Sequence, residues 1–440
     1  MNNKLRVAGA LAALALVSGC GVLKGQGKKT PVLGERVPIL MSENDITSDK
    51  SLANVDVLVP EATANEDWNQ PGGNAAKSMG HLALSATPSQ VWSQQIAKTS
   101  KKERLAASPV VAGGKLFVMD TDGQVHALDA ATGAELWRAA TVKADGNKTA
   151  RFGGGVSVSG EHVFATNGLG DVVALKVADG TELWRKRPGG PLRGAPTLAN
   201  GNAYVVTQDN QLFVMKQENG DVSWTASASL ESQGVFGVAA PASAQGTVIA
   251  GFSSGELNAY RYENGRSLWS DVLSRSSMTT SVSSLSDIDA EPVIDQGRVY
   301  AVGQGGRMVA MDIATGNRMW EQNIAGISTP WVAGEWLFVV TDDARLLCLS
   351  RTSGKVRWIA PLKRYKNDKK PKDPWNWIGP VLAGGKLILG STRGELVFVS
   401  PTDGSVSSTI ELKAPISLQP VVANHMLYIL DDKGRLTAFR

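Results

Sequence analysis

Cysteine is almost missing from this chain. Cys20 and Cys348 are the only two, so no disulfide framework can form and no CxxC pair is available for zinc. Histidine is scarce too. His81, His126, His162 and His425 lie far apart, without the close spacings that hold a metal, and neither a metal site nor a cofactor is expected. Charge of one sign is also lacking. Lys and Arg number 45 against 41 Asp and Glu, a formal net charge of +4, and the basic residues are scattered. That balance gives no footing for nucleic acid and describes an ordinary soluble surface. No apolar run reaches the roughly 20 residues of a membrane-spanning helix. With 42% hydrophobic residues over 440 positions, the chain can bury two or three ordinary cores or one large repeat domain.

What is present begins with an address. Lys4 and Arg6 precede an apolar core, Val7 to Val17, that is too short to span a bilayer. The string "LVSGC", Leu16 to Cys20, resembles the lipobox of bacterial lipoproteins. The resemblance implies cleavage before Cys20 and acyl chains on that residue. Each buried methylene adds about 0.8 kcal/mol, so two or three chains anchor firmly. Gly21 stands where an aspartate would favour retention at the inner membrane, and so the resemblance implies the periplasmic face of the outer membrane. The expected organisation is a signal peptide over 1–19, a lipidated cysteine with a tether or N-terminal extension over 20–81, and a repeat domain over 82–440. Lys24 to Ala64 reads as tether, and "WNQPGGN" at Trp68 to Asn74 as a turn-rich segment against the folded body.

From Ser89 onward the chain is periodic. Tryptophans recur at Trp92, Trp137, Trp184, Trp224, Trp269, Trp320 and Trp358. The clearest unit is "PVVAGGKLFVMDTDGQVHALDAATGAELW", Pro109 to Trp137. It holds four short strands separated by tight glycine turns, so neighbours pair antiparallel. A four-stranded unit repeating every 40–45 residues is the signature of a β-propeller blade. Opening strands fall near Pro109, Val156, Pro196, Pro241, Pro292, Pro330, Pro380 and Pro420, which gives eight blades. The expected fold is all-β, an eight-bladed β-propeller of four-stranded antiparallel blades. The last unit stops after its third strand, so closure is expected from Val91 to Ile96 pairing with Leu436 to Phe439. A tryptophan repeated at one place per blade is suited to filling the wedge between twisted sheets rather than to chemistry. The seventh unit carries Ser408 in its place.

Three stretches depart from the repeat. "SVSSLSDIDAEPVI", Ser281 to Ile294, lengthens the connection before Pro292 and sets Asp287 and Asp289 around an isoleucine. On composition alone it is a solvated loop. "SLESQGVFGVAAP", Ser229 to Pro241, offers Val235 and Phe236 among glycines, an apolar pair suited to partner docking. "LKRYKNDKKPKDPWNW", Leu362 to Trp377, carries six Lys/Arg against two Asp and reads as a solvated basic loop, with Trp375 and Trp377 turned back onto the rim.

The repeat resembles that of the quinoprotein alcohol dehydrogenases, eight-bladed enzymes that bind pyrroloquinoline quinone. The resemblance stops at the fold: there is no adjacent Cys-Cys pair, and Asp120, Asp122, Asp129, Asp179, Asp209, Asp342 and Asp403 sit at turn positions. Taken whole, lipobox, tether and tryptophan-bearing blades resemble the BamB family of outer-membrane lipoproteins, and "LSDID", Leu285 to Asp289, is the most specific match. The resemblance implies a non-catalytic scaffold of the β-barrel assembly machinery. It implies that Leu285, Asp287 and Asp289 help bind the POTRA domains of a BamA-like barrel subunit, and that nascent outer-membrane proteins are further partners. A second family contact loop falls on Gln233, Val235 and Phe236, where the family's arginine is replaced by Phe236.

Overall fold

The computed structural model describes residues 46–100, 103–142, 152–230, 239–273, 287–367 and 372–440. Among these, thirty-two strands form eight four-stranded antiparallel sheets arranged as a β-propeller. Blades 1 to 7 cover 110–140, 154–186, 197–227, 242–272, 293–322, 331–361 and 377–411. Blade 8 takes three strands from 421–439 and its outer strand from Gln90–Gln95. That strand pairs antiparallel with Arg435–Phe439, with Trp92 opposite Ala438 and Gln94 opposite Leu436. Closure therefore joins the ends where the strand count expected it.

Each blade follows the local sequence. Its middle strands carry the apolar runs, such as Leu116–Val118, and are buried. Asp129, Asp312 and Asp403 sit in the turns before the outer strands and accept the backbone N–H groups that follow them. These hydrogen bonds hold each carboxyl below its ordinary value.

The tryptophans are seams. Each sits on the outer strand, most opposite a small residue: Ala127 faces Trp137, Ala310 faces Trp320 and Cys348 faces Trp358, while Trp224 faces Val214. A β-bulge beside that pair recurs in the blades and increases their twist. The indole then reaches the next blade. Trp92 Nε1 donates to the Ala130 carbonyl, Trp137 to Val177, Trp269 to Ile313, Trp320 to Arg351 and Trp358 to Pro401, at 2.8–3.2 Å. The ring lies over the turn glycine there. An added Cβ on Gly133 would stand 2.6 Å from Trp92, and one on Gly354 2.6 Å from Trp320. These glycines also hold positive φ, so two demands meet at one residue.

One seam differs. Blade 7 carries Ser408 in the tryptophan position, and the residue opposite is Phe398, so large and small have exchanged places. The reason lies in blade 8. Its third strand ends at Phe439 and its fourth begins at Gln90, so Arg440 and Ser89, hydrogen-bonded to each other, stand where other blades have a glycine turn. A tryptophan from blade 7 would find no turn to cover.

The stretch read as tether is packed from Ile46 on. Asp49 N–H bonds to the Val356 carbonyl on the outer strand of blade 6, and Val57 is buried. The chain then crosses to the axis. Over Asn65 to Leu82 it visits the inner strand of every blade in turn. Asn65 bonds blade 8 at Val422 and Asn424. Trp68 exchanges two backbone hydrogen bonds with Val111 of blade 1, and the Asn69 carbonyl takes Val158 N–H of blade 2. The Gln70 amide brackets Leu198 of blade 3. Ala75 meets Ser243 of blade 4 and Ala76 meets Ile294 of blade 5. Gly80 accepts from the Trp331 indole of blade 6, and Leu82 bridges to Leu382 of blade 7. Inner strands leave backbone groups facing the axis, and this strap gives them partners. Trp68, 1% exposed, stacks on Trp331 with ring centroids 6.1 Å apart.

Candidate functional site

Alternating strand direction sorts the connections. The turns within blades before the second and fourth strands lie on the strap face. The connections between blades lie on the opposite face, with the turns before the third strands. The described parts of three of these connections, 239–241, 287–292 and 362–367 with 372–376, belong to that loop face.

At its centre is the connection 287–291. Ile288 is fully buried and anchors it: its N–H bonds to the Phe252 carbonyl, and its side chain lies where a Cβ on Gly251 would stand 2.5 Å away. The Asp287 carbonyl accepts from Gln304 N–H in blade 5. With Ile288 committed to the core, Asp287 and Asp289 flank it and share one cation, Arg193. Arg193 comes from the connection between blades 2 and 3 and is 1% exposed. Its guanidinium donates to Asp289 Oδ1 at 3.1 Å. Both aspartate charges act on it and favour its charged form against the cost of burial. Burial pushes Asp289 up to about 6, against the pull of Arg193 and with the charge of Asp287 adding to the rise.

The two expected aspartates are thus together, but not as exposed acids. Asp287 is 1% exposed and the Asp289 side chain 11%. Their first task is to bind the connection to Arg193. Leu285, Gln233, Val235 and Phe236 lie outside the described residues, as does Cys20. Arg193 escaped the sequence reading because it lies 96 residues from Asp289 and nothing local marks it among 45 basic residues.

The basic loop is tied down at both ends. Lys363 pairs with Glu395 at 2.7 Å and lies 5.0 Å over the Trp375 ring. Trp377 opens the first strand of blade 7, is buried, and donates to the Lys363 carbonyl. Trp375 packs on it, with ring centroids 6.0 Å apart. Among the described residues no group of three or more His, Cys, Asp or Glu side chains could hold a metal. Cys348 is buried opposite Trp358, and burial pushes its thiol far up. It fills space and is no nucleophile. His126 is held between Asp120 and Glu135 at 2.9 and 3.0 Å.

Under the strap the channel retains a cavity of roughly 120 Å3, lined by Trp68, Gly72, Pro109, Asp289, Glu291 and Ile378 among others.

Ring, seams and closure define an eight-bladed propeller of the quinoprotein-like repeat type. Solved structures share the ring. BamB from Moraxella catarrhalis superposes with a TM-score of 0.63 at 17% identity, covering 81% of this chain and 98% of that one. The quinohemoprotein alcohol dehydrogenase from Comamonas testosteroni gives 0.67 at 14% identity, covering 86% and 81%. At such identities both show the fold alone. Sequence separates them. A family model described as outer membrane protein assembly factor BamB matches residues 78–150, 141–360 and 364–440. The outer membrane protein assembly factor BamB of Yersinia pestis is 28% identical over 363 residues, covering 80% of this chain and 89% of its own. That of Vibrio cholerae is 36% identical over 256 residues, covering 58% and 66%. The chain belongs to the BamB family of outer membrane protein assembly factors.

Proposed function

We propose that the protein is a non-catalytic scaffold of the outer-membrane β-barrel assembly complex. Acyl chains on Cys20 hold it at the periplasmic face of the outer membrane. Its loop face binds the POTRA domains of a BamA-like barrel subunit and so aids insertion of outer-membrane proteins. The observation that carries this reading is the family match across the propeller, with the Asp287-Ile288-Asp289 connection built on Arg193 at the centre of the loop face. In this reading Asp289, the more exposed acid, meets a basic group of the partner, while Asp287 fixes the connection. Leu285, Gln233, Val235 and Phe236 supply further contact to the partner. Anchoring both partners to one membrane raises their effective concentration, so weak contacts suffice. Nascent outer-membrane proteins are further partners.

The dehydrogenase reading shares the ring but gains little from its axis. One mouth is filled by the chain's own Asn65–Leu82, and among the described residues the cavity beneath it is roughly 120 Å3 and another, beside Gln304, Asp342 and Trp375, roughly 270 Å3, both below the roughly 300 Å3 at which small-molecule pockets begin.

The test is co-purification of the membrane-anchored protein in mild detergent, wild type beside Asp287→Ala/Asp289→Ala, with Asp289→Asn as a milder variant. A barrel protein retained by wild type and lost from a folded variant supports function and site together. Equal retention removes the site and leaves the function. No barrel protein with wild type overturns the scaffold reading.

A further inference from the structure

The strap does more at the axis than satisfy edge strands. Lys77 is 2% exposed and sits at φ +62, a left-handed conformation that a lysine adopts only where its surroundings compel it. Its ammonium donates to the Pro71 carbonyl at 2.7 Å and to Thr197 Oγ1 of blade 3 at 3.2 Å. The charge that acts on it is Glu291, also buried, two residues beyond Asp289 on the same connection; it acts through its field, since no ion pair joins the two and the ammonium's hydrogen bonds go to Pro71 and Thr197. Gly72 lies between them. A Cβ there would stand 2.6 Å from Lys77 Cδ and 2.9 Å from Glu291 Oε2, so only glycine lets the two approach. Glu291 Oε2 is buried with no hydrogen bond of its own. Burial pulls Lys77 down to about 8 and pushes Glu291 up, while each charge opposes the shift of the other. The family match begins at residue 78, so Lys77 and the strap before it lie outside what the family model describes.

We infer that Lys77 is a positioning residue for partner docking: from the strap side of the channel it holds Glu291, and with it the 287–291 connection that Arg193 holds from the other end. This rests on the docking role proposed above for that connection. The strap then sets the affinity of a surface on the opposite face from its own. A buried lysine opposite a buried carboxylate is a poor source of net stability, since desolvation offsets most of the attraction. Its geometric effect is specific: it fixes where Glu291 stands.

The experiment uses the full-length, membrane-anchored protein with Lys77→Met, Glu291→Gln and the double variant. Three readouts are taken: melting temperature, amide exchange at Ile288, and capture of the barrel subunit. Lys77→Met leaves Glu291 buried without its counter-charge, so melting temperature falls and capture drops by roughly fivefold or more, the lower end of ordinary coupling between sites. The double variant removes both charges and regains melting temperature. Its capture stays low and Ile288 exchange stays raised, because the strut is still missing. Capture that is unchanged in Lys77→Met, or that follows melting temperature through all three variants, overturns the inference. If wild type captures no barrel protein, the docking reading fails by itself. Ile288 exchange then decides the strut, and wild-type protection in the double variant overturns it.

Discussion

The two mouths of the channel are built from opposite materials. On the strap face the turns are short, tightened by glycine, and covered by one continuous segment that hydrogen-bonds to all eight inner strands. On the loop face the connections vary in length and carry charge into the interior, with Arg193, Asp287 and Glu291 buried and Asp289 nearly so. The first arrangement maximises satisfied backbone and apolar contact. The second accepts the desolvation of ions and gains fixed, chemically distinct positions in return. Rigidity and recognition are thus assigned to different faces of one disc. The charged face keeps its shape because the closed face holds the blades in register.

Three experiments sharpen this contrast. The largest effect is expected from Trp68→Ala on the strap. It removes a fully buried ring and the stack on Trp331, and should cost about 5 kcal/mol by chemical denaturation, the upper end for buried aromatics. A loss below about 1 kcal/mol, the size of a modest packing change, would show the strap to be ornamental. Next is Arg193→Met on the loop face. It leaves two aspartates at one buried position and should cost about 3 kcal/mol, the low end for a broken buried pair, because Asp289 keeps some contact with solvent. Its signature is a stability loss that shrinks when Asp289→Asn is added. The smallest effect is a pH dependence. Asp289 has a folded value near 6 against 3.8 in the unfolded chain, so its contribution is full below about pH 3.8 and is lost as pH rises through 6. The melting-temperature difference, wild type minus Asp289→Asn, should therefore decrease between pH 4 and pH 7. A difference that rises over that range would contradict the buried assignment.

The sequence made the repeating parts of this fold legible because their causes are local. Strand alternation, turn glycines and a tryptophan before every connection but that after blade 7 sit within forty or so residues, and even closure followed from counting to an incomplete last unit. The segment Trp68–Asn74 was placed against the body for the same reason, since its glycines and proline announced tight turns. What could not be read is what the ring brings together. Arg193 meets Asp289, and Lys77 faces Glu291, across the axis of a propeller whose curvature no single blade records. The stretch 46–64 was hidden differently. It is polar and lacks a period, as a free tether is, yet it is held by backbone hydrogen bonds that side-chain patterning does not encode.

The seams have a last consequence, which concerns how such a ring changes in number. Each tryptophan is half of a lock whose other half, a glycine, lies in the following unit. Duplicating or deleting one whole unit leaves every lock with its key, while a cut of any other length strands an indole or bares a glycine. Blade number can therefore step only by integers. The seam from blade 7 to blade 8 is the exception, because there alone among the described seams the lock has already been dismantled, with Ser408 and Phe398 in exchanged sizes.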